Sequence, residues 1–241
     1  MRLRPRIFQS DAAYVADLSR QIVALTKLQG QTSWDPVTHG GSCHPHGIRH
    51  ILNEAGVGDM NQFFDFGGGL CVTGVDVARN YPDCQVHCIE VDGERVRAAN
   101  ELKDRYGLKN LNIYQNNLRS ITGNEPWLEP LREQGVVVFS NNINFDPTLQ
   151  QAMDEIILQT VALEDAMIVT LGKSFMNRDI KSFTEQQCHT EEAVPKYFFA
   201  WMGNSQIPEH VFDPKKPKTN NEVTAEFTFY TYKIKSRPNR W

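Results

Sequence analysis

The chain has 241 residues, with 25 Lys and Arg against 29 Asp and Glu, a formal net charge of −4 and 40% apolar residues. That is enough to bury a sizeable core in one large domain or one with a small appendage. No apolar run approaches the ~18 residues a membrane span needs, the opening MRLRPRIFQSD lacks the hydrophobic stretch of a secretory leader, and the mild acidity argues against wholesale, non-specific attraction to nucleic acid.

The five cysteines, Cys43, Cys71, Cys84, Cys88 and Cys188, are odd in number and scattered, with no CxxC pair. They suit reduced thiols in a cytosolic or nuclear compartment better than a disulfide framework. Apolar residues at Val15, Leu18, Ile22 and Leu25 predict an amphipathic helix over Ala12–Leu28. A Gly-, Pro- and His-rich passage from Gln29 to His46 reads as a loop, and Ile48, Ile51 and Leu52 resume a helical pattern. Phe63–Phe66 then predicts a strand, followed by a glycine turn, a helix through Arg79 and a second strand over Gln85–Glu90. A helix over Glu94–Tyr106 ends before Gly107, and Leu111–Tyr114 is a third strand. Val136–Phe139 and Met167–Leu171, separated by a helix over Thr148–Leu163, have the short, fully apolar wording of a buried parallel sheet. Tyr197–Met202 and Glu226–Ile234 are expected as late strands at the sheet's edge, antiparallel in such mixed sheets, around a polar connection that includes DPKKPKTNN.

Two passages carry the chemistry. In FFDFGGG, Gly67, Gly68 and Gly69 follow a strand directly, where missing β-carbons let backbone approach a ligand; a plain tight turn accounts for them equally. Glu90 closes the second strand about 20 residues further on, placed to accept ribose hydroxyls, with Asp92 behind it. The spacing is neither GxGxxG nor a nucleotide-phosphate loop, so a ribose-bearing ligand without pyrophosphate is preferred. Asp65 adds a carboxylate that suits a cationic ligand, or it caps the turn. In VVVFSNNINFDP, the amides of Asn141 and Asn142 follow the fourth strand, where α/β sites gather; an Asn-rich turn bonding its own backbone is the plainer alternative.

The strand, DFGGG, the strand ending in Glu90 and the third strand followed by Asn117 resemble class I methyltransferases that bind S-adenosylmethionine, over roughly Phe63–Ile234. The resemblance implies an α/β fold: a mostly parallel seven-stranded sheet with an antiparallel last strand and helices on both faces. The helical N-terminal segment and a cofactor-lid loop occupy residues 1–55 and the catalytic domain residues 56–241. The glycine loop and Asp65 would take the amino-acid end of the cofactor and Glu90 its ribose. Asn117, where the family usually has Asp, would take the adenine amine.

NNINF is similar to the NNFxF stretch of the disruptor-of-telomeric-silencing histone lysine methyltransferases, which lack the SET fold. In them the first Asn contacts the methyl donor and lines the lysine entrance, a role that falls to Asn141, with Asn142 beside it and Phe145 near the adenosine. Asp146 stands where the family continues with Gly. VTAEFTFYTYKI resembles the family's terminal strand, which makes Tyr230 the aromatic wall of the lysine channel and Phe229 the runner-up; both also suit core positions. The lid before the first core helix corresponds to WDPVTHGGSCHPHG, with Thr38, His39, Gly40 and Gly41 nearest the donor, and it departs from the family's usual wording.

The activity this implies is methyl transfer from S-adenosylmethionine to a lysine in the globular core of nucleosomal histone H3, in the nucleus. Asn141 would orient donor or amine, with the proton lost to water and no general base. The nucleosome would be the partner, with DNA phosphates met by Arg2, Arg4, Arg6, Lys215–Lys218, Lys233, Lys235, Arg237 and Arg240. An RNA, DNA or small-molecule methyltransferase of the same fold and a non-catalytic nucleosome-binding module are the rivals, though Asn141–Asp146 lacks the Pro-Pro that some base methyltransferases use. Cys43, His44, His46 and His50 lack the paired four-ligand pattern of structural zinc, so no metal is expected.

Overall fold

The computed structural model describes residues 10–28, 43–57, 60–142, 145–160, 166–171, 173–175, 184–195 and 224–234. Helices α1 (Asp11–Leu28) and α2 (Pro45–Glu54) precede β1 (Gln62–Phe66), α3 (Val72–Asn80), β2 (Gln85–Glu90), α4 (Gly93–Tyr106) and β3 (Leu111–Gln115). After two short 3-10 turns come β4 (Val136–Ser140), α5 (Pro147–Thr160), β5 (Met167–Leu171), β6 (Thr184–Pro195) and β7 (Thr224–Ile234).

The seven strands form one sheet in the order β3-β2-β1-β4-β5-β7-β6. β1 pairs in parallel with both β2 and β4, β2 with β3 and β4 with β5, whereas β7 runs antiparallel to β5 and to β6. This is the mixed sheet that the resemblance implies.

Alternation along the strands divides the core in two. Phe63, Val137, Phe139, Val169 and Phe229 join one cluster with Tyr14, Leu18, Ile48 and Val75, so α1 and α2 share their core with the sheet. Phe64, Phe66, Val138, Ile168 and Tyr232 join the other, beneath Met153 and Ile157 of α5. Because helices cover both faces, β1, β4 and β5 are buried at every position, and they are mostly apolar, as buried parallel strands are.

α1 is fastened to the body by Asp17, which accepts from the Arg105 guanidinium (3.0 Å) and the Tyr106 hydroxyl (3.2 Å) of α4. Arg49 of α2 donates to Asp76 of α3 through Nε (2.9 Å) and to Asp11 of α1 (2.8 Å). α4 starts on Asp92, whose Oδ1 accepts from the backbone of Glu94 and Arg95, and stops at Gly107 in the left-handed region (φ 65°).

The late strands differ from the sequence expectation. The strand expected over Tyr197–Met202 lies outside the described residues; the described sixth strand is Thr184–Pro195. Its TEQQCHTEEAVP wording carries no apolar alternation because β6 is the sheet's edge, and Glu185, Gln186, Gln187 and Cys188 are exposed. β7, expected at the edge, is inserted between β5 and β6, which buries Phe229, Thr231, Tyr232 and Ile234.

Candidate functional site

The site begins where β1 stops. Gly67 and Gly69 take φ 76° and 58°, and Cys71 takes φ 54°, the only non-glycine in the left-handed region among the described residues. The N–H groups of Gly67 and Gly68 both donate to the Ile89 carbonyl (3.0 Å each), which folds the turn over the end of β2. A β-carbon on Gly67 would lie 2.8 Å from Cζ of Phe145, whereas one on Gly69 would meet nothing within 4 Å. One glycine therefore admits a protein ring, and the other faces open space at the carboxyl edge of the sheet.

Glu90 fixes this turn. Its Oε2 accepts from the Gly69 N–H (2.8 Å) and its Oε1 from the Asp92 N–H (3.0 Å), with the Arg95 guanidinium 3.8 Å away. Asp92 itself caps α4 and serves the helix. Asp65 behaves differently. It is 2% exposed, and its carboxyl has no hydrogen bond or ion pair among the described residues, so it caps no turn. Burial, and then the neighbouring Glu90 charge, push its carboxyl up to about 7. A β-carbon on Gly68 would come within 3.3 Å of Asp65 Oδ2, which puts the carboxyl directly against the glycine turn.

The loop after β4 closes the cradle from the other side. Ser140 Oγ donates to the Phe66 carbonyl (2.9 Å), so half-buried Asn141 emerges beside the β1 turn. Asn142 is fully buried, and its Nδ2 donates to Gln150 Oε1 (2.7 Å) and to the Lys173 carbonyl (2.9 Å). Because a backbone carbonyl only accepts, this fixes the amide's orientation and leaves Oδ1 as a buried acceptor with no partner among the described residues. Gln150 passes the chain on to Asp154 (2.8 Å). Phe145 N–H donates to the Asn142 carbonyl (3.1 Å), and the Phe145 ring lies on Gly67. Asp146, where the resembling family has Gly, caps α5 by accepting from the N–H groups of Thr148 and Leu149 (2.9 Å each) and pairs with Arg119.

Two expected residues flank this cluster. Asn117 is exposed and accepts from the Arg119 N–H (3.0 Å), capping a 3-10 turn just beyond β3. Tyr230 is half-buried in β7, opposite Thr170 of β5 and Cys188 of β6, and packs with the cluster of Phe64, Phe66 and Phe145. Its neighbour Phe229 faces the other core and stacks on His189 with centroids 4.5 Å apart. Ser140 pairs with Thr170 and Thr170 with Tyr230, so Tyr230 shares a cross-strand row with the residue before Asn141. Thr38 and Gly40, with His39 and Gly41, lie outside the described residues.

The structure thus brings Asp65, Gly67, Gly68, Gly69, Glu90 and Phe145 into one cradle with Asn141 at its rim. Sequence reasoning missed three contributors. Val91, 59% exposed, follows Glu90 as the one exposed large hydrophobic among the described residues; its signal was an apolar residue directly after a strand-ending acid. Gln150 and Lys173 hold the β4 loop, and nothing in their spacing announces it.

The family described as Histone methylation protein DOT1 matches residues 20–199 of the chain. Two curated relatives match locally, both described as ribosomal RNA small subunit methyltransferase G. The one from Beutenbergia cavernae is 34% identical over 80 residues, 32% of this chain and 38% of that protein. The one from Christiangramia forsetii is 24% identical over 83 residues, 32% of this chain and 39% of that protein. The chain thus spans well under half the length of either. Among solved structures, TrmN from Thermus thermophilus superposes with a TM-score of 0.54 at 12% identity, covering 82% of this chain and 51% of that one. The YcgJ protein from Bacillus subtilis gives 0.50 at 12% identity, covering 81% and 100%. The fold is that of class I methyltransferases.

Proposed function

Because the chain belongs to the family described as Histone methylation protein DOT1, we propose that it transfers a methyl group from S-adenosylmethionine to a histone lysine presented in the nucleosome, and so works in the nucleus. The observation that carries the cofactor half is the buried, unpartnered carboxylate of Asp65 against the glycine turn, beside Glu90. Leaving a carboxylate without a partner in a buried site is costly, and a cationic ligand that donates hydrogen bonds removes the cost. Two carboxylates and a glycine turn fit an α-ammonium, a sulfonium and a ribose, and they repel a phosphate.

In this reading Asp65 accepts from the cofactor's ammonium. Glu90 uses its remaining lone pairs on the ribose hydroxyls, since each carboxylate oxygen accepts twice. Val91 and Phe145 offer apolar surface to the purine, and Asn117 faces its amine. When bound, S-adenosylmethionine supplies an electrophilic methyl group on sulfur. Asn141 orients the incoming amine through its side-chain carbonyl, and Tyr230 walls the approach. The target lysine has a pKa of about 10.4 in water, so an apolar, aromatic channel that strips its water also favours its neutral, nucleophilic form. Positioning supplies several kcal/mol of the barrier.

An RNA base is the second reading, favoured by the local matches to two ribosomal RNA methyltransferases. A radiolabelled methyl-transfer assay on intact nucleosomes, free histones, RNA and small amines separates the two, with Asn141→Ala as control. Label on a histone, dependent on nucleosomes and lost in the variant, is the expected result. Equal labelling of RNA or small amines overturns the substrate assignment, and absence of S-adenosylmethionine binding overturns the cofactor.

A further inference from the structure

We propose that Lys173 is a positioning residue that holds Asn142 and Phe145 in place beside the glycine turn. The proposal rests on the cofactor reading above for its effect on binding, but its geometry stands by itself. Lys173 follows β5, and its side chain is exposed, which is the ordinary state of a solvated surface lysine. Its contacts are not ordinary. Its backbone carbonyl accepts from Asn142 Nδ2 (2.9 Å) and from Thr170 Oγ1 (2.8 Å), while its ammonium donates to the Phe145 carbonyl. One residue therefore grips the loop near its start and at its end.

The ammonium has no carboxylate partner among the described residues, so the loop carbonyl is its one polar anchor there. The consequence passes through Phe145. Its ring occupies the space that a β-carbon on Gly67 would fill, and Gly67 opens the turn whose last glycine donates to Glu90. Holding the Phe145 carbonyl holds the ring, and the ring walls the cradle.

Neighbouring ties act on either side of this one. Asp146 binds the N-terminus of α5 and Arg119, beyond the aromatic residue, and Ser140 ties the strand before it. Between them, Asn142 ends on Lys173 and Gln150, and the Lys173 ammonium holds the Phe145 carbonyl.

Lys173→Met keeps the aliphatic stem and removes the donor, and Lys173→Arg restores a donor of similar reach. The probes are S-adenosylmethionine binding by calorimetry and amide hydrogen exchange over residues 141–146, with the thermal midpoint as control for the fold. Lys173→Met is expected to bind about tenfold more weakly and to exchange about tenfold faster in the loop, with its midpoint within about 2 °C of the parent and Lys173→Arg close to parent. The sign is diagnostic, because deleting a positive charge would by simple electrostatics strengthen binding of a cationic ligand. Unchanged or tighter binding overturns the proposal, and so does unchanged exchange. If the parent protein binds no S-adenosylmethionine, the cofactor reading fails, and the exchange arm decides the clamp: acceleration in Lys173→Met with recovery in Lys173→Arg supports it, and no acceleration overturns it.

Discussion

The turn after β1 and the loop after β4 meet where Phe145 covers Gly67, yet they are held by opposite means. The β1 turn is a backbone object: left-handed conformations at Gly67, Gly69 and Cys71, and two N–H groups converging on the Ile89 carbonyl. The β4 loop is a side-chain object, fastened by Ser140, Asn142, Lys173 and Asp146. At Gly67 the first tolerates no side chain, because the Phe145 ring already occupies the space. The second can be loosened one hydrogen bond at a time.

Gly67→Val should have the largest effect, since its β-carbon falls 2.8 Å from Phe145 Cζ at φ 76°. Binding of S-adenosylmethionine is expected to weaken by more than about 100-fold in calorimetry, with the far-ultraviolet circular dichroism retained. Gly56→Val isolates the strain, because Gly56 also has a positive φ (66°) but nothing within 4 Å of its β-carbon. It should cost about 1–2 kcal/mol of stability and leave affinity unchanged. Equal binding losses in the two variants would mean that the contact with Phe145 is irrelevant.

Asp65→Asn should weaken binding about 10- to 100-fold, the worth of one buried charge-assisted hydrogen bond. Its pH signature is sharper. The folded carboxyl is raised to about 7 from an ordinary 3.8, so the folded chain holds this proton longer than the unfolded one. The stability this group contributes is therefore full below about pH 4 and is lost as pH rises through about 7. Thermal melts should show Asp65→Asn gaining on the parent across that window, by roughly 4 kcal/mol at pH 8. Cofactor affinity of the parent should fall about tenfold from pH 8 to pH 6 as the carboxylate protonates, with a proton released on binding. A variant whose affinity keeps the parental pH dependence would exonerate Asp65.

On the β4 side, Gln150→Leu deletes one of the two acceptors of Asn142 Nδ2. It should destabilise by about 1–3 kcal/mol in denaturant titrations and weaken binding no more than about tenfold. The smallest change is expected from Asn117→Asp, which keeps an oxygen for the Arg119 N–H and adds a charge toward the purine amine. Affinity should improve by about two- to threefold; a loss would place the amine elsewhere.

The same contrast explains what the sequence could tell. Backbone constraints leave letters behind. Three glycines after Phe63–Phe66 and an acid closing Gln85–Glu90 announced the first turn, and the apolar runs of β4 and β5 placed the strands beside it. Side-chain fastenings do not, since Gln150 and Lys173 are common surface letters whose use depends on where the fold carries them. Asp65 was legible as a carboxylate near the ligand, but its lack of a partner follows from how the turn packs over it. Asp146 was seen as a departure from the family's Gly, and its reason, a cap for α5, needed the geometry. β6 escaped because an exposed edge strand carries no apolar period.

The position of β7 has a consequence for how the protein is made. Thr224–Ile234 is the last described strand in the chain, yet it lies between β5 and β6. On the ribosome β6 emerges before β7, the strand that joins it to the rest of the sheet. Until β7 follows, β5 presents an open, apolar flank to whatever else is in the cell, which is when a chaperone would matter most. A stop codon ahead of Thr224 would accordingly cost two strands, not one.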